Sequence, residues 1–242
     1  MKKWQDYIYY EEKNPDLYVL HGDCLEIMPL LHKVDLVVTD PPYGMNFQSN
    51  HRLIKHEKID GDNDLPIELI NMARIKALCA SYFFCRWDNL YQMPKPKSVL
   101  AWVKNNWSMG DLEHEHGRQW EAICFYPADR HKFYERIPDV IRDARTGNNL
   151  HPTQKPVGLI RRILESNYGE SILDPFLGSG TTLVACKELN RNGIGIEIND
   201  KYCEIAKKRL KATCRSLFSD VSGAEKSLRK EKTLPGMELS AG

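Results

Sequence analysis

The sequence lacks the features that would place it in a membrane, in a repeat array or outside a reducing compartment. Its 242 residues contain no run of about 18 apolar residues and no internal repeat. No apolar segment follows the two lysines near the N-terminus, so we expect no secretory signal and a cytoplasmic location. Neither sign of charge dominates, because 34 Lys and Arg stand against 33 Asp and Glu. This balance excludes a chain that holds nucleic acid through overall basicity alone.

Cysteine is present but lacks the spacing of a disulfide framework or a zinc ribbon. The seven cysteines are odd in number, irregularly spaced and without a CxxC pair. We therefore expect free thiols and no metal site. The triplet His114-Glu115-His116 has no third ligand at a metal-like spacing and indicates a solvated loop.

What the sequence does contain is an alternation of short apolar runs and helical periodicities. Strands are predicted at residues 18–20, 34–39, 80–87, 99–103, 120–126, 172–173 and 194–198, and helices at 25–31, 67–78, 157–167, 181–189 and 201–210. This alternation predicts an α/β fold whose parallel sheet is covered by helices on both faces. In such sheets ligands bind beyond the carboxyl ends of the strands, where Asp40, Asp174 and Glu197 stand.

Charge is unevenly distributed along the chain. Between residues 130 and 162 eight Lys and Arg stand against three acids, and residues 201–232 are also basic, whereas residues 57–68 are acidic. The basic C-terminal run is equally well explained as a solvated helix face. Residues 219–242 are small and polar, and we expect a weakly ordered tail there.

Residues 171–182 have the pattern of a strand, a tight glycine turn and a helix. Gly178 and Gly180 would let the backbone approach a ligand, which the free N–H groups of the helix would face. Asp174 suits an ammonium better than a phosphate, and Glu197, which ends the next strand, could accept hydrogen bonds from both hydroxyls of a ribose. The pattern favours S-adenosylmethionine over a dinucleotide. The alternative is a tight turn without a ligand.

A second motif, Asp-Pro-Pro-Tyr at residues 40–43, directly follows a predicted strand. An exocyclic amine of a nucleobase is a poor nucleophile, because its lone pair is delocalised into the ring. The Asp40 carboxylate and a backbone carbonyl in the rigid Pro41 turn could accept both amine protons and favour a tetrahedral, positively charged nitrogen. Tyr43 offers a face on which an extruded base could stack. The alternative is a strand-terminating turn with a surface tyrosine.

Together these motifs resemble those of the amino-methylating DNA methyltransferases, the family of DNA N4 and N6 methylases. The turn at 40–43 looks like their catalytic motif, and residues 174–181 look like their cofactor motif. The catalytic motif comes first, an order that resembles the circularly permuted β group. The resemblance implies a Rossmann-like fold with a seven-stranded, mostly parallel sheet, one antiparallel strand and helices on both faces.

The resemblance also implies a domain organisation and a set of site residues. One methyltransferase domain would span residues 1–218, with a catalytic half at 18–127, a short basic recognition loop at 128–150 and a cofactor half at 151–212. The segment at 151–156 resembles the one whose Thr and Lys contact the methionine end of the cofactor, and residues 22–24 resemble the segment that meets the adenine ring. Residues 101–104 and 120–121 resemble strands beside the target-base pocket. The implied catalytic residues are Asp40, Pro41, Pro42 and Tyr43. The implied cofactor residues are Asp23, Cys24, Thr153, Lys155, Asp174, Phe176, Gly178, Ser179, Gly180, Thr181 and Glu197.

Little of the chain is available for reading a DNA sequence. Members of the family usually insert a sizeable recognition region before the segment matched at 151–156, but only residues 105–119 and 128–150 could serve here. Basic residues of this gap and of the loop at 44–58 are predicted to contact DNA phosphates. They are Arg130, Lys132, Arg136, Arg142, Arg145, Arg52 and Lys55.

The resemblance predicts an enzyme that moves a methyl group from S-adenosylmethionine to N6 of a flipped adenine in double-stranded DNA, without a metal. Asp at the first position of the catalytic turn is usual in adenine-N6 members, whereas cytosine-N4 members more often carry Ser. The alternatives are a cytosine-N4 enzyme of the same fold, an enzyme acting on RNA or a protein amide, and a DNA-binding protein without catalysis. A homodimer would follow the habit of the family.

Overall fold

The computed structural model describes residues 2–42, 66–108, 113–114, 116–144 and 154–214. In this part of the chain nine strands form one mixed sheet. The strands are β1 (Ile8–Glu12), β2 (Leu17–His21), β3 (Val34–Thr39), β4 (Ala77–Cys85), β5 (Ser98–Ser108), β6 (Arg118–Pro127), β7 (Val140–Arg142), β8 (Ser171–Asp174) and β9 (Asn192–Glu197). The helices are α1 (Cys24–Ile27), α2 (Ile67–Lys76), α3 (Val157–Glu165), α4 (Thr181–Glu188) and α5 (Asp200–Ala212), with short 3₁₀ turns at Trp4–Tyr7, Met28–Leu30 and Trp87–Asn89.

The strand order is β1-β2-β9-β8-β3-β4-β6-β5-β7. All strands run in one direction except β1 and β6, which are antiparallel to their neighbours. The predicted α/β architecture is confirmed, but the count of seven strands is wrong. The stretch from β2 to β5 contains seven strands with β6 reversed, and β1 and β7 extend it at the two edges. The two predicted halves of the domain share this sheet.

The apolar pattern of β3 explains why helices cover both faces. Leu36 and Val38 point to one face and Val34 and Val37 to the other, and all four side chains are buried. The first face packs against α3, α4 and α5. The second packs against α1 and α2. The two-sided burial that the sequence predicts is therefore confirmed.

The structure differs from the predicted elements at one helix end, in one helix type and in one unpredicted strand. Helix α2 ends at Lys76, and the chain continues directly into β4 at Ala77, so the predicted helix is two residues too long. The helix predicted at 25–31 is a single α-turn followed by a 3₁₀ turn that contains Pro29. Part of the predicted recognition loop is strand β7, because Ile141 is buried against the sheet and residues 140–142 pair with β5.

The reversed direction of β6 decides where its flanking segments lie. Ser108, the last residue of β5, pairs with Arg118, the first residue of β6, at the edge where the parallel strands end. The chain leaves β6 at the opposite edge. There the Ala128 N–H donates to the carbonyl of Cys79, near the start of β4, at 2.7 Å.

Candidate active site

Three acidic residues meet at the carboxyl edge of the sheet. Asp40 follows β3, Asp174 ends β8 and Glu197 ends β9, and these three strands are neighbours. Thr39, the last residue of β3, donates its hydroxyl proton to Asp174 Oδ1 at 2.6 Å. This contact joins the Asp-Pro-Pro-Tyr turn to the strand that leads into the glycine loop.

Asp174 is a buried carboxylate at the base of the glycine loop. It accepts hydrogen bonds from Thr39, from the Thr182 hydroxyl at 2.6 Å and from the Phe176 N–H at 3.1 Å. Burial raises the pKa of Asp174 to about 6, which the hydroxyl and N–H donors only partly oppose, and the negative charge of Asp40 raises it further. Among the residues that the structure describes, no Lys or Arg forms an ion pair with this carboxylate, and such a buried anion fits the ammonium group of an amino acid.

The glycine loop adopts the conformation that its sequence requires. Gly178 has φ +53° and Gly180 has φ +86°, in the left-handed region that favours glycine. A Cβ at Gly180 would lie 2.8 Å from the Cβ of Ala206 on α5, so a side chain there would separate the loop from that helix. The loop therefore presents bare backbone at the start of α4.

Arg209, on α5, donates hydrogen bonds to the glycine loop. Arg209 Nη1 donates to the carbonyl of Ser179 at 2.7 Å, to the Ser179 hydroxyl at 3.0 Å and to the Thr181 hydroxyl at 3.0 Å. Sequence reasoning assigned Arg209 only to the basic C-terminal run. No local signal distinguishes it from the lysines around it, because its role depends on how α5 packs against the loop.

Glu197 also accepts a hydrogen bond from the glycine loop. Its carboxylate accepts the N–H of Gly178 and the N–H of Asn199, both at 2.8 Å. Burial raises its pKa above the ordinary value, although these N–H donors oppose the shift. A carboxylate oxygen can accept more than one hydrogen bond, so the arrangement still suits a ligand hydroxyl.

The predicted adenine-ring segment lies beside Glu197. The Gly22 N–H donates to the Glu197 carbonyl at 3.0 Å. Asp23 caps α1 by accepting the Leu25 N–H at 2.8 Å, a structural role that the sequence reasoning had not assigned. Burial raises the pKa of the Cys24 thiol to about 12, so this side chain is neutral at ordinary pH.

Lys155 lies beside the catalytic turn. Its ammonium is 2.5 Å from Asp40 Oδ2 and 3.2 Å from Glu121 Oε2. Glu121 in turn contacts Lys104 at 2.5 Å. The resemblance assigned Lys155 to the methionine end of the cofactor, and it did not anticipate this pairing.

The remaining predicted residues divide into two groups. Pro41 is buried and Pro42 half-buried directly after Asp40. Several predicted residues lie outside the described part of the chain. These are Tyr43, Thr153, Arg52, Lys55 and Arg145.

The structure places most of the predicted phosphate-contact residues of the 128–150 segment away from the catalytic turn. Arg130, Lys132 and Arg136 follow β6 and lie beyond the edge opposite to Asp40, because β6 runs antiparallel. The Tyr134 N–H, for example, donates to the carbonyl of Ser166, after the end of α3. Arg142 lies on the edge strand β7, with its side chain exposed.

The described residues contain neither a membrane-spanning helix nor a metal-binding cluster. Within the described residues, no helix is long and apolar enough to cross a membrane. In the same part of the chain, no group of three or more His, Cys, Asp and Glu could hold a metal ion.

Comparison with known proteins identifies the family. The sequence profile of the DNA methylase family matches residues 82–208. The type II methyltransferase M.HinfI of Haemophilus influenzae is 43% identical over 246 aligned positions, which cover 80% of this chain and 68% of that protein. The DNA adenine methyltransferase YhdJ of Escherichia coli K12 is 27% identical over 244 positions, covering 79% of this chain and 82% of that one.

A solved structure agrees with these relatives. The crystal structure of the M1.HpyAVI–SAM complex superposes with a TM-score of 0.61 at 27% identity, over 80% of this chain and 99% of the other. The match covers the fold and sequence of a methyltransferase that holds its cofactor. Taken with the buried Asp174, the left-handed glycines and the Asp-Pro-Pro-Tyr turn beside them, these similarities establish that the chain belongs to the DNA methylase family and is an S-adenosylmethionine-dependent DNA methyltransferase.

Proposed function

We propose that this enzyme methylates N6 of adenine in double-stranded DNA, and that the base is flipped into the site. The observation that carries the proposal is the Thr39–Asp174 hydrogen bond. It places the turn that can hold an amine directly against the loop that can hold the cofactor. Methyl transfer between two bound groups depends on such proximity, because alignment of the reacting atoms lowers the entropic part of the barrier.

We propose that the glycine loop and its flanking carboxylates hold S-adenosylmethionine. The cofactor supplies an electrophilic methyl group on a sulfonium when it is bound. Asp174 would face its ammonium and Glu197 its ribose hydroxyls. The side chain of Ile198, which follows Glu197 and is 53% exposed, would offer an apolar surface to the adenine ring.

We propose that the Asp-Pro-Pro-Tyr turn prepares the target amine. Asp40 accepts a hydrogen bond from one amine proton, and the carbonyl of Pro41 accepts the other. Both contacts favour a tetrahedral nitrogen and the positive charge that develops on it, so they are stronger in the transition state than in the ground state. Tyr43 stacks on the extruded base.

Adenine is favoured over cytosine on two grounds. Asp40 occupies the position where adenine-specific members usually carry Asp, and the relative YhdJ is named a DNA adenine methyltransferase. The relative M.HinfI is named a type II methyltransferase, which supports a role beside a restriction activity.

The corrected placement of the basic residues leads to a different DNA-facing surface. We propose that the β5–β6 hairpin contacts the duplex, because the paired ends of its strands, Ser108 and Arg118, lie at the catalytic edge. Trp107 and Trp120 on this hairpin are 66% and 42% exposed, and Arg118 pairs with Ser108 at the end of the same hairpin. Exposed aromatic and cationic side chains at a catalytic edge suit unstacked bases and phosphates.

The proposal is tested by a nucleoside digest. Purified protein is incubated with S-adenosylmethionine and unmethylated DNA, and the nucleosides are analysed by mass spectrometry. N6-methyladenine is expected. N4-methylcytosine would preserve the mechanism but overturn the assignment of the base, and methylation of RNA or protein alone would overturn the assignment of the substrate.

The matched control is Asp40→Asn, which keeps the shape of the side chain and removes its charge. We expect kcat to fall at least about 100-fold, the scale on which loss of a transition-state hydrogen-bonding group acts. Binding of S-adenosylmethionine, measured by calorimetry, should change little. An Asp40→Asn protein with unchanged turnover would contradict the role of Asp40.

Three features of organisation remain proposals. Residues 1–218 would act as one methyltransferase domain, which the single sheet supports. The enzyme would work in the cytosol as a homodimer. Light scattering at working concentrations would decide between dimer and monomer.

A further inference from the structure

Four charged side chains form an alternating row on one face of the sheet, beside the catalytic turn. Asp40 contacts Lys155, Lys155 contacts Glu121, and Glu121 contacts Lys104, at 2.5, 3.2 and 2.5 Å. Asp40 follows β3, Glu121 lies on β6, Lys104 lies on β5 and Lys155 precedes α3, and β4 lies between β3 and β6 in the sheet. The row therefore crosses four neighbouring strands. Two positive and two negative charges balance within it.

The row is largely withdrawn from water. Lys104 and Lys155 are each only 6% exposed. The Lys155 ammonium lies 5.1 Å from the centre of the Phe84 ring, and the Lys104 ammonium lies 5.0 Å from that of Trp102. A buried ammonium is costly unless carboxylates neutralise it, so the position of each charge depends on its neighbours.

Glu121 connects the two lysines. One carboxylate oxygen faces Lys104 and the other faces Lys155. Burial alone would raise the pKa of Glu121, but the two ammonium groups outweigh burial and hold it at about 2. Glu121 therefore carries a negative charge at ordinary pH and is a second carboxylate partner of Lys155, beside Asp40.

We propose that Glu121, supported by Lys104, is a positioning residue for methyl transfer. Glu121 fixes the ammonium of Lys155, and Lys155 fixes the carboxylate of Asp40 through Oδ2. The inference rests on the proposed function, since Asp40 must be held where it can meet the target amine. Glu121 itself touches no reacting atom in this scheme.

The test is Glu121→Gln, which keeps the size of the side chain and removes its charge. The row then holds two positive charges and one negative charge, and the ammonium of Lys155 loses the carboxylate of Glu121 as a partner. We expect kcat to fall about 10- to 100-fold, the loss that a misplacement of about 1 Å causes in a catalytic group. The KM for S-adenosylmethionine and for DNA should stay within about twofold. Glu165→Gln, which removes an exposed partner of Arg161, is the matched control and should leave kcat unchanged.

The split between kcat and KM distinguishes positioning from other roles. A raised KM for S-adenosylmethionine with unchanged kcat would overturn the proposal, because Glu121 would then serve the cofactor. Unchanged kcat and KM with a lower Tm would also overturn it, because the row would then only hold strands together. Wild-type protein without DNA methylation would instead defeat the proposed function, and that is measured first in the same assay.

A second variant tests whether Glu121 acts on Asp40 through the ammonium of Lys155, which we call the electrostatic route. Lys104→Met combined with Glu121→Gln restores the charge balance, leaving Asp40 and Lys155 as a pair. We expect the double variant to be several-fold more active than Glu121→Gln alone. A double variant no more active than the single one would overturn the route.

If Glu121→Gln does not fold, the double variant is compared with the wild type. Reduced kcat at constant KM is then expected, and wild-type kcat would overturn the proposal.

Discussion

At the scale of single residues, the site concentrates buried carboxylates whose charges are controlled by different neighbours. Asp174 is surrounded by hydroxyl and N–H donors, and burial raises its pKa to about 6. Glu121 is less deeply buried and lies between two ammonium groups, which hold its pKa at about 2. The same side-chain chemistry thus gives a titratable anion at the cofactor loop and a permanent one beside the catalytic turn.

The raised pKa of Asp174 predicts a pH dependence of cofactor binding. Only the ionised carboxylate attracts the ammonium of S-adenosylmethionine, so the dissociation constant should rise by up to about tenfold per pH unit below pH ~6. Calorimetry between pH 5 and 8 measures this. Asp174→Asn should bind weakly at every pH, and the pH dependence that it retains would report Glu197, whose pKa burial also raises. An unchanged profile in Asp174→Asn would contradict the assignment.

The same pKa has an opposite consequence for stability. An unfolded aspartate titrates near about 3.9, so between pH ~4 and ~6 the folded protein holds more protons than the unfolded chain. The contribution of Asp174 to the free energy of unfolding should therefore decrease as the pH rises through this window. Urea denaturation of the wild type and Asp174→Asn at pH 4.5 and 7 measures the difference. A larger contribution from Asp174 at pH 7 than at pH 4.5 would be inconsistent with a raised pKa.

At the scale of elements, α5 supports the cofactor loop without contributing to its sequence motif. Gly180 makes room for Ala206, and Arg209 donates three hydrogen bonds to the loop from one nitrogen. The conformation of the loop is thus fixed by a helix that begins 20 residues after Gly180 along the chain.

Removing Arg209 should loosen the loop while leaving the sheet intact. In Arg209→Met, we expect the free energy of unfolding to fall by about 1–3 kcal/mol, because buried acceptors lose a charged donor. The affinity for S-adenosylmethionine should fall about tenfold, since part of its binding would then order the loop. Calorimetry and chemical denaturation measure both effects. Lys208→Ala on the exposed side of α5 is the control, and equal behaviour of the two variants would contradict the role of Arg209.

At the scale of the whole molecule, the direction of β6 determines which surface can face DNA. The β5–β6 hairpin lies at the catalytic edge, whereas the basic segment after Pro127 begins at the opposite edge. The proposed DNA-facing surface is therefore the hairpin and not the basic segment.

This orientation predicts opposite effects for two pairs of substitutions. Trp107→Ala with Arg118→Ala should raise the KM for DNA about tenfold or more, because a stacking surface and a phosphate contact are lost together. Arg130→Ala with Lys132→Ala removes two positive charges, where the first pair removes one. It should nevertheless leave the KM for DNA within about twofold. Steady-state kinetics with one duplex at a fixed salt concentration measures both, and the reverse pattern would overturn the proposed DNA-facing surface.

The chain's local patterns predicted much of this architecture. The alternation of apolar runs placed β3 at its observed residues, and the two-glycine turn between β8 and α4 has the left-handed backbone that its glycines imply. The edge strands were not predicted. Strand β7 has only three residues, and the two tyrosines of β1, Tyr9 and Tyr10, pack against the core from the sheet edge.

The sequence by itself determined the fold class, the family and the two motifs at the carboxyl edge, because these depend on residue types at short, fixed spacings. Only the tertiary structure decided which distant residues serve those motifs. Lys155 meets Asp40 across 115 positions, and Arg209 meets Ser179 across 30. Such pairings depend on strand order and helix packing, and no local pattern records them. The direction of one strand likewise placed the basic segment away from the site, although its composition alone favoured a contact with DNA.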